Sequence, residues 1–458
     1  MKILHVPYCY YPDPVGGTEI YVSALAGAQR DRGFDAAIAA PGTANEEYRH
    51  EGIRVFRFAG QSEVTLRELY GEGDQESVAN FTTILNRYRP DILHLHARTQ
   101  AVSVLLARAA RTKGIPTVFT YHTPTVTCAR GSMLRWGKEA CDGEMRPEQC
   151  APCMMHGKGV SMPAAVVAGR LPVFIGRGLG AAGLEGGLWT ALRAAELIRI
   201  RHAAVRRMLD EVDHICAVCE WVRDVLLANG VPSEKITLTR QGVPYSAKAS
   251  GKPLFTAAPD PGALRLVFLG RVDAVKGLET AISAMGQIAA APNVAPDVTL
   301  DIFAVAQGEK ARARLESLKQ RCAADARIRF RTPVAAEEVV ATLPNFDALL
   351  VPSEWLETGP LVVYEAFAAG IPVIGSRLGG IAELIDDGVN GILVPPASVS
   401  EWARAISRLA REPGLLEKLK TGPKRVRTAE DTARDAAMVY AKVSGVMATA
   451  CAARRIAV

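Results

Sequence analysis

VPSEWLETGPLVVYEAFAAGIPVIGSRLGGIAELIDDGVNGILVPP, residues 351–396, opens where a short apolar run ends and a helix begins. The run 348–352 reads as a buried strand, and 361–369 reads as a helix started by Pro360. Two acids, Glu357 and Glu365, flank seven residues that include Gly359-Pro360. Glu357 falls in the strand-to-helix loop and Glu365 on the first turns of the helix. The helix start offers the amides of Leu361 and Val362, together with positive dipole charge, to an anion. A carboxylate on each side of such a hole suits a ligand that joins a polyhydroxyl group to a phosphate, as nucleotide sugars do.

Working outward, the pattern repeats in both directions. Strands are predicted at 2–6, 36–40, 54–58, 91–96, 117–121, 214–218 and 235–239, then at 264–269, 299–303, 328–331, 348–351, 372–375 and 391–394. Helices fill the gaps, for example at 18–30 and 99–113, and after 412 the chain reads as helical to about 448. Strands alternating with helices imply α/β architecture with parallel sheets covered on both faces. A chain of 458 residues is too long for one core, so two domains are expected. The boundaries read as an N-terminal domain 1–243, a Pro/Gly/Ser-rich linker 244–262, a C-terminal domain 263–425, and a closing helical segment 426–458 packing back on the N-terminal domain. Within the first domain lie a cysteine-bearing insertion, 125–160, and a helical basic segment, 161–210.

Composition is that of an ordinary globular protein, 49% hydrophobic and 22% charged. A net charge of +6 allows an anionic substrate or membrane surface without requiring nucleic acid, and none is expected as a partner. Residues 2–6 lead directly into a strand, so no targeting segment is read there. The longest apolar stretch, 161–184, is broken by Arg170 and Arg177 and makes a poor membrane span. The expected location is the cytoplasm, peripheral on the inner face of the cell membrane.

In open parallel sheets ligands bind beyond the carboxyl ends of the strands, and the conspicuous residues sit there. Arg271 and Lys276, in GRVDAVKG, follow the first strand of the second domain. Arg271 can grip two phosphate oxygens with its fork, and Lys276 adds a compact donor. Val15-Gly16-Gly17-Thr18-Glu19 follows the first strand of the chain and exposes amides at a helix start. His122 ends the fifth strand in a polar turn. His94 and His96 point the same way on theirs; without a third ligand at suitable spacing they read as packing rather than a metal pair.

Nine cysteines, an odd count, argue against a disulfide framework. Four of them, Cys128, Cys141, Cys150 and Cys153, fall in one Gly-rich loop that ends in C-x-x-C. Four thiolates fit tetrahedral structural zinc; an iron–sulfur cluster is the second reading and four unpaired thiols the third. Cys216 and Cys219 read as structural, with Cys219 at a helix cap. Between 154 and 209 eight basic residues face only Glu185 and Glu196. That pattern suits either a surface resting on anionic lipid or a solvated basic face.

The glycine pair, Gly-Arg-x4-Lys-Gly, Glu-x7-Glu and Gly379-Gly380-x2-Glu383 occur in an order that resembles the family 4 retaining glycosyltransferases (glycosyl transferases group 1), and the resemblance covers nearly the whole chain. It implies a GT-B fold, two Rossmann-like doubly wound parallel-sheet domains facing an inter-domain cleft. It implies transfer from a nucleotide-diphosphate sugar to a glycan or lipid-linked acceptor, in cell-surface or exopolysaccharide biosynthesis, with no cofactor required for the chemistry. By that resemblance Arg271 and Lys276 hold the diphosphate and Glu365 the ribose hydroxyls. Glu357 contacts the sugar, Gly16 and Gly17 lie near the phosphates or acceptor, and His122 lies over the sugar near its 6-hydroxyl. Similar cysteine-bearing loops occur in a subset of the family. Two departures stand out: Gly359-Pro360 replaces the usual aromatic-glycine pair, and Ala304 and Ala306 replace glycines after the second strand of the C-terminal domain. A nucleotide-sugar epimerase of the same fold and a non-catalytic nucleotide-sugar-binding scaffold are the alternatives. Base and sugar choice would depend on 330–334 and 353–355.

Overall fold

The computed structural model describes residues 1–13, 16–61, 63–245, 263–289, 298–422 and 426–445. The chain divides into two units, Met1–Arg240 with Glu430–Val458, and Gln241–Ala429. Each is described by itself. Of the linker at 244–262, residues 246–262 lie outside the described residues, as does Val15.

In the first unit the strands are β1 (Lys2–Val6), β2 (Asp35–Gly42), β3 (Glu46–His50), β4 (Ile53–Ala59), β5 (Ile92–Leu95), β6 (Thr117–Tyr121), β7 (Leu134–Arg135), β8 (Glu139–Ala140), β9 (His214–Ala217) and β10 (Ile236–Leu238). Eight of them form one sheet in the order β10-β9-β6-β5-β1-β2-β4-β3. All pairings are parallel except that of β3 with β4, which is antiparallel. β6, TVFTY, is buried at every position, as a strand covered on both faces must be. The direction of strand order reverses between β1 and β5, and the crevice beyond that pair is where the open-sheet rule places ligands.

The second unit contains β11 (Leu264–Arg271), β12 (Val298–Val305), β13 (Ile328–Arg331), β14 (Ala348–Val351), β15 (Val373–Ser376) and β16 (Gly391–Val394). They form an all-parallel sheet in the order β13-β12-β11-β14-β15-β16. Here the reversal falls between β11 and β14. β14, ALLV, and β15, VIGS, are buried throughout. Each fully buried Leu, Ile or Val there contributes about 1.5–3 kcal/mol relative to exposure. Trp402 is wholly buried on the covering helix Val399–Arg411, its indole N–H satisfied by the Pro395 carbonyl at 3.2 Å.

Several expectations need correction. Helix 99–113 is shortened to Val104–Arg111, because Thr99 and Ser103 capture the amides of Val102 and Leu105 with their hydroxyls. The chain after 412 is not continuously helical; Leu415–Thr421 ends at Gly422, and a separate helix, Ala429–Val443, follows. The cysteine-bearing segment is not all loop. β7 and β8 form a small hairpin, and Cys150 and Cys153 ride on the helix Pro147–Gly157.

Candidate active site

The second unit builds its site on both sides of the β11/β14 reversal. β11 ends at Arg271, and the turn after it is capped by Asp273, whose carboxylate accepts from the Val275 amide at 3.4 Å. Gly277 closes the turn at φ +68°, where a Cβ would stand 1.9 Å from the Pro352 carbonyl oxygen. Only glycine allows this approach, and it presses the cation-bearing turn onto the end of β14. The Glu354 amide donates to the Val275 carbonyl at 2.7 Å, and Thr280 donates to the Glu354 carboxylate at 2.5 Å, tying the same two segments.

This clamp brings Lys276 to Glu357. The ammonium donates to Glu357 Oε1 at 2.6 Å, the Ser353 hydroxyl donates to the same oxygen at 2.8 Å, and Lys276 Nζ lies 5.4 Å above the Trp355 ring. From the other side Gly379 and Gly380 start a short helix against the Glu357 backbone. The Gly380 amide donates to the Glu357 carbonyl at 2.6 Å, and a Cβ on either glycine would lie within 3 Å of that oxygen. The Gly-Gly of the second motif therefore positions Glu357. Gly359 sits close to Gln241, 3.2 Å from where its Cβ would be. A small recess beside the reversal is lined by Gly270, Lys276, Ser353, Glu357, Pro360 and Val362. Leu361 and Val362 begin the helix Leu361–Ala368, so their amides have no intrahelical acceptor. Arg271 is exposed at the strand end and has no ion-pair partner among the described residues.

The two glutamates titrate in opposite directions. Burial pushes the Glu357 carboxyl up, but the Lys276 ammonium and the hydrogen bonds outweigh it and hold the group below the usual carboxylate range. Glu365, buried on the helix with no such cation, is pushed up to about 8 by burial. At neutral pH one is an anion and the other a neutral acid that can both donate and accept. Environments that separate two carboxyls in this way assign them separate chemical tasks.

In the first unit Gly16 caps the helix Gly17–Asp31, and its amide donates to Glu19 Oε2 at 2.9 Å. His122 follows β6 and packs edge-on against Tyr21 with ring centroids 4.7 Å apart. His94 and His96 do share a face, and a third imidazole that spacing along one strand could not reveal joins them. His5 on β1 pairs in register with His94 on β5, and one ring nitrogen of each of the three lies within 4.8 Å of the others. Two of those nitrogens meet as hydrogen-bond partners, His5 Nδ1 and His96 Nε2 at 2.9 Å. Burial pushes His5 down to about 4, His122 to about 3, and His94 and His96 well below their ordinary value, so all four are neutral at neutral pH.

The four clustered cysteines form no disulfide and are half-buried. Burial comes first in raising the Cys150 thiol to about 12, with the other three thiols adding to it. The Trp136 amide donates to Cys153 Sγ at 3.3 Å. The donor chemistry fits zinc, yet no three of the four sulfurs lie within 4.8 Å of one another. Cys219 caps the helix Glu220–Ala228, where its spacing placed it.

The basic segment is less free than its sequence implies. Arg193 is buried against Glu196 at 3.1 Å, Arg201 donates to the carbonyls of Thr125 and Val126, and Arg207 pairs with Glu72. Val167, Phe174 and Leu188 are each about 70% accessible, and Arg170, Arg177 and Arg199 on the same segment are exposed as well. No single described helix is long and apolar enough to cross a membrane.

Comparison with known proteins bears on the family and the fold. Residues 16–242 match the family model for a glycosyl transferase 4-like domain, and residues 255–425 match that for glycosyl transferases group 1. Among curated relatives, a D-inositol 3-phosphate glycosyltransferase of Streptomyces bingchenggensis (strain BCW-1) is 28% identical over 226 residues, 47% of this chain and 49% of that protein. The chain thus spans about half the length of that relative. One of the same name from Arthrobacter sp. (strain FB24) is 26% identical over 413 residues, 87% of this chain and 82% of that protein. Among solved structures, Anabaena Alr3699/HepE in complex with UDP-glucose superposes with a TM-score of 0.59 at 18% identity, covering 98% of this chain and all of that one.

Proposed function

The chain belongs to the family 4 glycosyltransferases and has their GT-B fold of two Rossmann-like units, and from that premise we propose that it transfers a sugar from a nucleoside-diphosphate donor with retention of configuration. The observation that carries the reading is the Lys276–Glu357 contact of 2.6 Å at the β11/β14 reversal. A diphosphate drawn to Lys276, Arg271 and the amides of Leu361 and Val362 would have its attached sugar beside an ionised Glu357. Neutral Glu365 can serve vicinal hydroxyls in both directions, as a ribose requires. The chemistry then asks for stabilisation of the departing diphosphate, which two cations and a helix start supply without a metal ion. The acceptor attacks from the face the diphosphate leaves. Gly17 and His122 are the first-unit residues that the family resemblance assigns to the donor.

The test is product analysis with a panel of nucleotide sugars and acceptors, inositol 3-phosphate among them. Arg271→Ala should slow transfer by about 3 kcal/mol, on the order of a hundred-fold. Wild-type rates in that variant would remove the diphosphate assignment. An epimer or free sugar formed from donor alone would favour the epimerase alternative.

Two finer parts belong to the same reading. The exposed Val167, Phe174 and Leu188 with Arg170 and Arg177 form a surface for anionic lipid, where a lipid-linked acceptor would be met. Phe174→Asp should then release the protein from phosphatidylglycerol vesicles, and equal binding would sink the idea. Cys128, Cys141, Cys150 and Cys153 would hold zinc as a structural staple, with their sulfurs drawn together on binding. One zinc per chain, lost on chelation, is the expected result of metal analysis.

A further inference from the structure

A continuous chain of buried hydrogen bonds runs through the first unit and takes in His122. His122 Nε2 meets His96 Nδ1 at 3.0 Å, His96 Nε2 meets His5 Nδ1 at 2.9 Å, and His5 Nε2 meets Gln29 Oε1 at 2.8 Å. From the other end of the same amide, Gln29 Nε2 donates to the Tyr440 hydroxyl at 3.2 Å. That hydroxyl meets His94 Nδ1 at 2.7 Å, and His94 Nε2 meets Thr120 at 2.7 Å. Every member is at least 95% buried, so no water competes for these bonds.

The direction of the chain follows from Gln29, the one member whose two ends differ in kind. Its oxygen only accepts, so His5 carries its proton on Nε2. A neutral imidazole has one N–H, so His5 Nδ1 accepts and His96 must donate from Nε2. By the same step His96 Nδ1 accepts, and His122 donates from Nε2. On the other branch Tyr440, already accepting from Gln29, donates to His94 Nδ1, and His94 donates to Thr120. Burial, which keeps all four rings neutral, permits this one-proton bookkeeping.

We propose that Gln29, held by Tyr440, is a positioning residue that fixes His122 as the Nε2–H tautomer through His5 and His96. Nδ1 of His122 is then its acceptor nitrogen, the ring atom able to take a hydrogen bond from a sugar hydroxyl. That functional corollary rests on the donor-sugar reading of His122, whereas the tautomer does not. Turning the Gln29 amide over would reverse every bond in the chain at once. Tyr440 alone would not prevent that, since a hydroxyl can donate or accept. The amide as placed, with Oε1 toward His5 at 2.8 Å and Nε2 toward Tyr440 at 3.2 Å, sets the direction that the tautomers report.

Nitrogen-15 NMR of the full-length protein labelled at histidine reads the tautomers directly. His122, His96 and His5 should all show Nε2–H, and His94 should show the same form. Gln29→Met removes the director and Tyr440→Phe, a milder change, removes what holds it. In either variant His122 should become a mixture of tautomers. If the mixture is even, half the molecules are competent, and kcat/KM falls about two-fold. An Nδ1–H signal for His122 in the wild type would overturn the proposal, as would a His122 tautomer indifferent to a folded Gln29→Met or Tyr440→Phe protein. A tautomer that shifts while transfer does not change would uphold the proposal and remove the sugar-contact reading of His122.

Discussion

Replacing Glu365 with glutamine should stabilise the fold and weaken the ligand site. Burial pushes this carboxyl from its ordinary 4.5 up to about 8 in the folded chain. The folded state therefore holds the proton more tightly than the unfolded state does. The stability this group contributes is fully present below pH 4.5 and is lost as pH rises through 8. Between those limits each pH unit removes about 1.4 kcal/mol. From 4.5 to pH 7 the loss is about 3 kcal/mol. Glutamine keeps the shape and a donor-acceptor pair without a proton to lose, so Glu365→Gln should equal the wild type near pH 4.5 and exceed it by that amount at pH 7. Urea denaturation from pH 4.5 to 8 measures the difference, and the gap between the two proteins should widen steadily with pH. A constant gap, or a variant less stable at pH 7, would refute the placement of an uncompensated carboxyl in this core. Under the proposed function the same variant binds nucleotide diphosphates more weakly, because a fixed amide cannot choose which oxygen donates.

Lys276→Met should do the reverse to Glu357. In the wild type the depressed carboxyl contributes stability that is present above pH 4.5 and lost as pH falls through its folded value. Without the ammonium an isolated buried charge remains, and denaturation at pH 7 should show a loss of about 3 kcal/mol that shrinks as acid neutralises it. Gly277→Ala combines a φ of +68° with a Cβ 1.9 Å from the Pro352 oxygen. The cation turn must lift off β14, so the unfolding midpoint should fall by more than 2 kcal/mol equivalent, with loss of nucleotide binding; an unaffected variant would contradict the clamp.

Where apolar runs were buried on both faces, the sequence was readable to the residue: 117–121, 348–351 and 391–394 are strands at those bounds. β3 escaped notice because EEYRH has no inward face; it is an antiparallel edge held by β4 alone. The cysteine helix was obscured by the Pro152 within it, which reads as a breaker but is accommodated in a helix entered at Pro147. Glu357, Glu365, Arg271 and Lys276 were legible as motifs. Their pairing was not, since Lys276 and Glu357 are 81 residues apart and only the glycine contacts with Pro352 and Glu357 bring them together. The imidazoles show the same limit. Alternation on one strand put His94 and His96 on one face, while His5, Gln29 and Tyr440 arrive from three other elements.

Tyr440 also gives the molecule a schedule. The first unit takes its last polar partner from a helix made only after residues 241–429 have been synthesised. At about 5–20 residues per second a ribosome needs roughly 10–40 s for that interval. Through it Gln29 and His94 sit in a nascent core without the hydroxyl that joins them. The N-terminal half therefore emerges first yet is completed last, and a released chain truncated after residue 429 should expose that half to protease while the second unit is protected.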